Sequence, residues 1–511
     1  MINLFSLELR PVYAVAVSLI ASGLIYVLGE HIKQNSREAI TIVAASLKIA
    51  IVYSMIPAVL AGKAIKIELF RIVEGISLAF NVDAAGMVFA CIASTLWLLT
   101  SCYSIGYMRG HGEKNQTGYY AAFAMCLSAT MGICFAANLI TFFIFFEILT
   151  VATFPLVVHY RDEEGKASGH KYLAYTLISG QIFFAAIVII YVCCGTLDFV
   201  PGGFVKAGDL PMPWACIVFF MMVGAGIVKA GVMPLHSWLP AAMVAPTPVS
   251  ALLHAVAVVK AGAFCTLRVV LYVFGPEAAK ACHGADILAW MAVITILVSS
   301  LIAIRKDNLK ARLAFSTVGQ LSYIILGICI LTPFSTAGAL YHIVAHAFMK
   351  ITLFMAAGAI FVTTHKKNIS EMVGIGRRMP ITMGAFTLAS LAIAGFPFFA
   401  GFVSKANIIY GAVSTNKPLF AATLVVSGLL ALVYLMPVVI IAFKKAPAEF
   451  KVDGEMVLNP EFAKRGEANK AMLIPLVITC VIAIVLGIAP NFGLHLYDFA
   501  VMAGNAVFHI G

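Results

Sequence analysis

The sequence predicts an all-α integral membrane protein with about fourteen transmembrane helices, and three observations predict it. Of the 511 residues, 62% are hydrophobic and 11% are charged, with a mean hydropathy of +1.00. Soluble domains carry about 25% charged residues. Apolar runs of about the 20 residues that cross a bilayer recur along the chain. Lysine and arginine alternate in number from one intervening loop to the next. A water-soluble fold of this size could not hide so much apolar surface, which excludes a soluble enzyme and a disordered chain. The formal charge of +11 is spread over short loops with no basic patch or arm, so no nucleic-acid partner is expected.

The runs lie near 11–29, 40–62, 85–108, 118–137, 138–160, 171–194, 213–241, 247–273, 285–304, 311–331, 334–362, 380–414, 418–443 and 471–488. In lipid the backbone must satisfy its own hydrogen bonds, so each run is expected to be helical. No convincing small-residue cleavage site follows the first run, which is read as a retained helix, not a signal peptide. Runs four and five meet at Asn138 with almost no loop. Loops after odd-numbered runs hold 21 Lys and Arg, and loops after even-numbered runs hold 6. Positive loops face the cytoplasm. Both termini are therefore expected on the outer side of the cell's inner (plasma) membrane.

Runs seven and twelve are interrupted, by Gly231, Pro234 and Pro240 in one and by Gly395, Pro397 and Gly401 in the other. Proline removes a helical hydrogen bond and clashes with the preceding turn. A lysine stands beside each break: Lys229 just before the first, Lys405 just after the second. Runs four to eight and nine to thirteen are each five helices, an odd number, so the second set runs opposite to the first. Both breaks then fall in the fourth helix of a set, the pattern of inverted repeats around a midplane ion site. The expected organisation is a three-helix segment (1–110), a first repeat (118–273), a second repeat (285–443), and a cytoplasmic loop, fourteenth helix and tail (444–511).

Six of the 34 Lys and Arg residues lie inside runs: Lys48, Lys229, Lys260, Arg268, Lys350 and Lys405. Among 23 acids, Glu147 alone sits well inside one. Lys48 and Arg268 lie toward run ends and are read as snorkelling to the interface. For the others a charge at the bilayer centre costs about 2.5–3.5 kcal/mol on insertion scales, which marks them as an ion path. A lysine whose carboxylate partner approaches and withdraws changes its proton affinity, a role for Glu147 and Lys229. His254 and Lys260 share run eight. His342, His346 and Lys350 fall at i, i+4 and i+8 on run eleven, one helical stripe. Histidine titrates near neutrality, so such a stripe can pass protons. No further Cys, Asp or Glu completes a metal set around the two histidines, and the eleven cysteines show no CxxC spacing. No dinucleotide fingerprint is present. No metal, cofactor or redox chemistry is expected in this chain itself.

The stretches FFEILT (145–150), KAGVMPLHSWLPAAMVAPTPVSALLHA (229–255), DNLKARLAFSTVGQLSY (307–323), HIVAHAFMK (342–350) and GFPFFAGFVSK (395–405) resemble one family. It comprises the antiporter-like subunits shared by Mrp-type cation/proton antiporters, respiratory complex I and membrane-bound hydrogenases. The resemblance covers roughly 80–440 in order. It implies that Glu147 pairs with Lys229, that His254 and Lys260 are relay positions, that His342, His346 and Lys350 continue the relay, and that Lys405 is the exit. Lysine at 405, and a chain that ends soon after the fourteenth run without a long lateral helix, resemble the D-type member of the Mrp antiporters. The implied function is a proton-translocating subunit of a multisubunit membrane complex, beside further antiporter-like subunits, with protons moving through Lys229, Lys260 and Lys350 to Lys405. The alternatives are coupled sodium export in an Mrp-type complex, a relative coupled to a carbonic-anhydrase-like partner, a purely structural role, and a quinone-reactive membrane subunit.

Overall fold

The computed structural model describes residues 6–206, 208–211, 213–444, 449–452, 455–458 and 466–510; for 253–255 and 449–458 it describes backbone alone. Much of the expected loop between 444 and 470 therefore lies outside the described residues. Twelve helices among the described residues are long and apolar enough to cross a membrane. They coincide with twelve of the fourteen runs. The other two runs are divided, with Trp214–Ala230 and Pro380–Ala394 as their longer leading pieces.

Two short antiparallel hairpins add to the helices. In the first, β1 (Ile65–Val73) pairs with β2 (Ile76–Val82) around Gly75, whose φ of +82° suits glycine. The second pairs β3 (Glu449–Val452) with β4 (Glu455–Leu458). The first hairpin closes the corner between runs four and five. Asn138 caps the Leu139–Val157 helix by accepting from Thr141 N at 2.8 Å, and its Nδ2 donates to the Ser77 carbonyl at 2.8 Å.

That corner has a counterpart. Asn308 caps the Leu309–Cys329 helix by accepting from Ala311 N at 3.0 Å. Leu139 N donates to the Leu197 carbonyl at 2.9 Å, and Leu309 N donates to the Lys367 carbonyl at 3.0 Å. Phe199 N donates to the Ala137 carbonyl at 3.0 Å, and Ile369 N to the Asp307 carbonyl at 2.9 Å. In both cases the partner strand of chain follows a helix of 32 residues, Glu163–Cys194 in one and Pro333–Thr364 in the other.

Run eight is not the single helix the sequence suggests. Thr247–Ala255 ends, the chain turns through Val256 and Ala257, and Val258–Arg268 begins; a π-helical turn follows at Val269–Phe274. The helix Leu496–Val507 near the end of the chain buries Leu496, Phe499, Ala500, Ala503, Gly504 and Val507, one face at helical spacing.

The structure corrects the snorkelling readings, because Lys48 and Arg268 are both buried inside the bundle. Arg268 forms a forked pair with Asp83, with Nη1 to Oδ2 at 2.5 Å and Nη2 to Oδ1 at 2.8 Å. Phe199, Phe264 and Tyr272 stack around its guanidinium. Asp83 also caps the Ala84–Gly110 helix. The helix direction brings a carboxylate from a distant segment to Arg268, so the charge has no need of the interface. Removing one partner of a buried pair costs about 3–5 kcal/mol. Arg268→Met is therefore expected to lower the thermal unfolding midpoint of the purified complex, and adding Asp83→Asn to recover part of the loss. Equal midpoints for all three proteins would contradict the clamp.

Candidate functional site

The interior polar residues are positioned by helix ends and glycine contacts. At the first break, Trp214–Ala230 terminates at Gly231 in the left-handed region, φ +73°. Termination frees carbonyls in the last turn. Trp238 Nε1 donates to one of them, Val228, at 2.8 Å. Gly226 and Gly262 let this helix and Val258–Arg268 approach closely: a Cβ on Gly262 would lie 2.5 Å from Ala230 N and 2.8 Å from Lys229 Cβ. Lys229 thus packs two residues from Lys260 along the neighbouring helix. Pro234 lies in the irregular segment after the break, and Pro240 in the short helix Trp238–Ala241.

Glu147 and Lys229 face one another from adjoining helices without hydrogen bonding to each other. Lys229 Nζ donates to the Phe146 carbonyl at 2.6 Å and stands 3.3 Å from the Phe146 ring centroid. Glu147 lies against Gly180, where a Cβ would come within 2.5 Å of Oε1. That oxygen is buried with no hydrogen-bond partner among the described residues.

At the second break, Pro380–Ala394 ends at Gly395, φ +95°, and Ala400–Ser414 begins after Pro397. Lys405 reaches back across the gap. Its Nζ donates to the freed carbonyls of Ile393 at 2.6 Å and Ala394 at 3.2 Å. A cation is favoured at a helix C-terminus, where the dipole is negative. A Cβ on Gly395 would sit 3.0 Å from Lys405 Cδ, and one on Gly401 would sit 2.2 Å from the Ala392 carbonyl. These glycines leave the room in which Lys405 lies.

Between the breaks runs a line of contacts. Lys260 Nζ lies 2.5 Å from His346 Nδ1. His346 and His342 stack one turn apart, with centroids 6.1 Å apart and planes 20° from parallel. His342 Nδ1 lies 2.8 Å from Ser404 Oγ, next in sequence to Lys405. Tyr323 bridges the same gap, with its ring 5.4 Å from that of His342 and 5.0 Å from Lys405 Nζ. His342 Nε2 is buried with no hydrogen-bond partner among the described residues. Lys350, one turn on from His346, leads the other way: it donates to Ser316 Oγ at 2.8 Å, and Ser316 Oγ lies 2.9 Å from Tyr434 OH. All these lysines and histidines are buried. The side chain of His254 lies outside the described residues.

Sequence reasoning singled out neither Tyr323, Ser404 and Ser316 nor Tyr434. Tyr323 closes the DNLKARLAFSTVGQLSY stretch and Ser404 adjoins Lys405, yet spacing along one helix does not say what faces it from another. At one end of the bundle a cavity of about 610 Å³ adjoins the first break, lined by Tyr107, His111, Pro240, Thr247 and Lys310 among others.

With this geometry in view, comparison with known proteins is direct. Residues 136–431 match the family described as NADH:quinone oxidoreductase/Mrp antiporter, TM. The chain belongs to this family. It is 30% identical over 417 residues to NADH-quinone oxidoreductase subunit N of Desulforudis audaxviator, covering 81% of this chain and 82% of that protein. It is 30% identical over 444 residues to a Na(+)/H(+) antiporter subunit of Alkalihalophilus pseudofirmus, covering 82% of this chain and 53% of that one. In fold it is similar to a chain of the Mrp complex from Dietzia sp. DQ12-45-1b, with a TM-score of 0.84, 20% identity and coverage of 98% and 97%. It is equally similar, at a TM-score of 0.84, 22% identity and 97% coverage of each chain, to a chain of the membrane-bound sulfane sulfur reductase, an archaeal respiratory membrane complex. These relatives are subunits of multisubunit membrane complexes, and this chain is an antiporter-like membrane subunit of that kind.

Proposed function

We propose that this chain translocates protons along its buried Lys/His/Glu line as one subunit of a larger complex in the plasma membrane, with both termini outside. The observation that carries the reading is the 2.5 Å contact between Lys260 Nζ and His346 Nδ1, inside a line that continues through His342 and Ser404 to Lys405. Two bases at that distance cannot both carry a positive charge without strong repulsion. They hold one proton between them, and a histidine passes it on by exchanging which nitrogen carries it.

In this proposal Glu147 controls the loading of Lys229. Drawing the carboxylate toward the ammonium stabilises the proton there, and withdrawing it releases the proton to Lys260. The energies are commensurate: one charge crossing the membrane is worth about 2.3 kcal/mol per 100 mV, and a hundredfold change in a lysine's proton affinity about 2.7 kcal/mol. His254 is a further relay position in this proposal, on the strength of its place in run eight. Orphaned buried oxygens and nitrogens such as Glu147 Oε1 and His342 Nε2 are groups that ordered water completes, which supports proton hopping between side chains. Lys350, with Ser316 and Tyr434, is a branch of the path toward Lys405.

We further propose that 118–273 and 285–443 are two inverted repeats. The matched caps at Asn138 and Asn308, with matched backbone bonds behind two helices of 32 residues, support this. The divided helices then occupy the fourth place in each. Further antiporter-like subunits are the proposed neighbours.

The test uses vesicles carrying the purified intact complex, with internal pH followed after an imposed gradient, in sodium-containing and sodium-free buffer. Lys260→Met is expected to slow proton flux by about a hundredfold, the size of a lost proton-transfer group, with assembly unchanged. Unaltered flux would overturn the relay. Flux in the wild type that requires sodium would place this chain with coupled sodium export, the activity for which the Alkalihalophilus relative is named.

A further inference from the structure

The first three long helices and the fourth enclose a second buried lysine site, remote from the line above. Lys48 is completely buried on Gln34–Tyr53. Its Nζ donates to Ser18 Oγ at 2.5 Å and to the Leu127 carbonyl at 3.1 Å, and lies 4.7 Å from the Trp97 ring centroid. No carboxylate is among these partners; the nearest titratable group acting on it is the Cys134 thiol, on Gln116–Phe135.

A polar column leads away from this lysine. Arg37, Thr41, Ala44 and Lys48 fall at i, i+4, i+7 and i+11 of one helix face. The neighbouring helices are pinned beside it at both levels. At the Lys48 level stand Trp97 and the Leu127 carbonyl. Eleven residues away, a rise of about 16 Å, Arg37 donates to Gln116 Oε1 at 2.7 Å and to Thr117 Oγ1 at 3.1 Å and lies over Tyr120 at 5.4 Å. There Arg109 pairs with Glu38. On Ala84–Gly110, Thr100, Ser101 and Ser104 lie between the Trp97 and Arg109 levels, on the Trp97 face. Thr41 Oγ1, Thr100 Oγ1, Ser101 Oγ and Tyr120 OH are all buried without a hydrogen-bond partner among the described residues. The column ends at a cavity of about 630 Å³ lined by Glu30, Gln34, Arg37, Glu113, Gln116 and Arg161 among others.

A buried ionisable group inside a span is costly and is by default functional. Four unpaired hydroxyls between a charged cavity and a lysine without an acid are the arrangement that ordered water completes. We infer that Lys48 is a second proton-binding site, which exchanges protons with that cavity through this column and independently of the line from Lys229 to Lys405. Glu38, Arg37 and Arg109 at the mouth, Tyr120 along the wall, and Ser18, Trp97 and Cys134 around the amine are the groups that face the path.

Thiol labelling in the intact complex tests this without reference to transport. Thr41→Cys and Ser101→Cys are placed in the column, Gln116→Cys at the cavity, and a small charged methanethiosulfonate is the probe. Two column positions are used so that failure of one variant to assemble leaves the other. Both column thiols are expected to react above the wild-type background, from the side on which Gln116→Cys reacts. A thiol near an ammonium reacts as thiolate, so Lys48→Met is expected to slow labelling of Ser101→Cys about tenfold at neutral pH and to remove a step from its pH profile. Reaction at Gln116→Cys alone would make the column dry and overturn the inference. Column labelling with a pH profile that Lys48→Met leaves unchanged would overturn it as well.

Discussion

Replacing Lys405 with alanine is expected to abolish most proton flux through the intact complex and also to loosen the second break. Lys405 Nζ is bonded to the Ile393 and Ala394 carbonyls, which the ended helix leaves without internal partners. Stranding a buried acceptor costs about 1–3 kcal/mol. The same amine closes the line through Ser404 and His342, so its loss removes the last proton acceptor, an effect of about a hundredfold. Lys405→Arg separates the two roles. A guanidinium keeps the helix-end bonds but does not give up its proton. The arginine variant is expected to match wild type in thermal stability and the alanine variant in lost flux. An arginine variant with normal flux would mean that Lys405 only holds the break together.

The second large effect concerns the centre of the line. Lys260→Met and His346→Leu each break the 2.5 Å contact, and each is expected to reduce flux about a hundredfold. The double variant is expected to be no slower than either single one, because groups that act as one unit are lost together. Multiplied losses in the double variant would show two separate paths and would contradict a single relay. Flux in vesicles, with assembly checked by purification, supplies all four corners of the cycle.

Much of this molecule is legible in the order of its residues. Apolar length marks helices because lipid leaves the backbone no other partners, and the twelve long apolar helices fall where the runs lie. Gly231 and Gly395 end their helices because each takes a backbone conformation that other residues resist. The buried lysines and histidines stand out by their cost alone. What fails is what depends on neighbours. Lys48 and Arg268 look like interface residues along their own helices, yet Ser18, Leu127 and Asp83 come from segments far away in sequence. The hairpin at Ile65–Val82 is present as a two-residue alternation, Ile65, Ile67 and Leu69 against Lys66 and Glu68, ending in a Gly turn. Its charged residues make it read as a loop. The interruption at Val256 and Ala257 carries neither proline nor glycine, so no local signal announces it.

The separation of Glu147 from Lys229 is the most consequential geometry. Lys229 turns to the Phe146 carbonyl, one residue short of the acid. An ion pair that is open in one state and closed in another is the gate the mechanism needs, and a small movement along the Leu139–Val157 helix suffices to switch the lysine between partners.

The most direct measurement is therefore proton flux in vesicles carrying the intact complex, with Lys229→Ala and Glu147→Ala beside the wild type and assembly verified for each. Both variants are expected to assemble and to lose proton flux, since one removes the carrier and the other the group that sets its affinity. Undiminished flux in the two assembled variants would contradict the gate and leave the buried pair as packing alone.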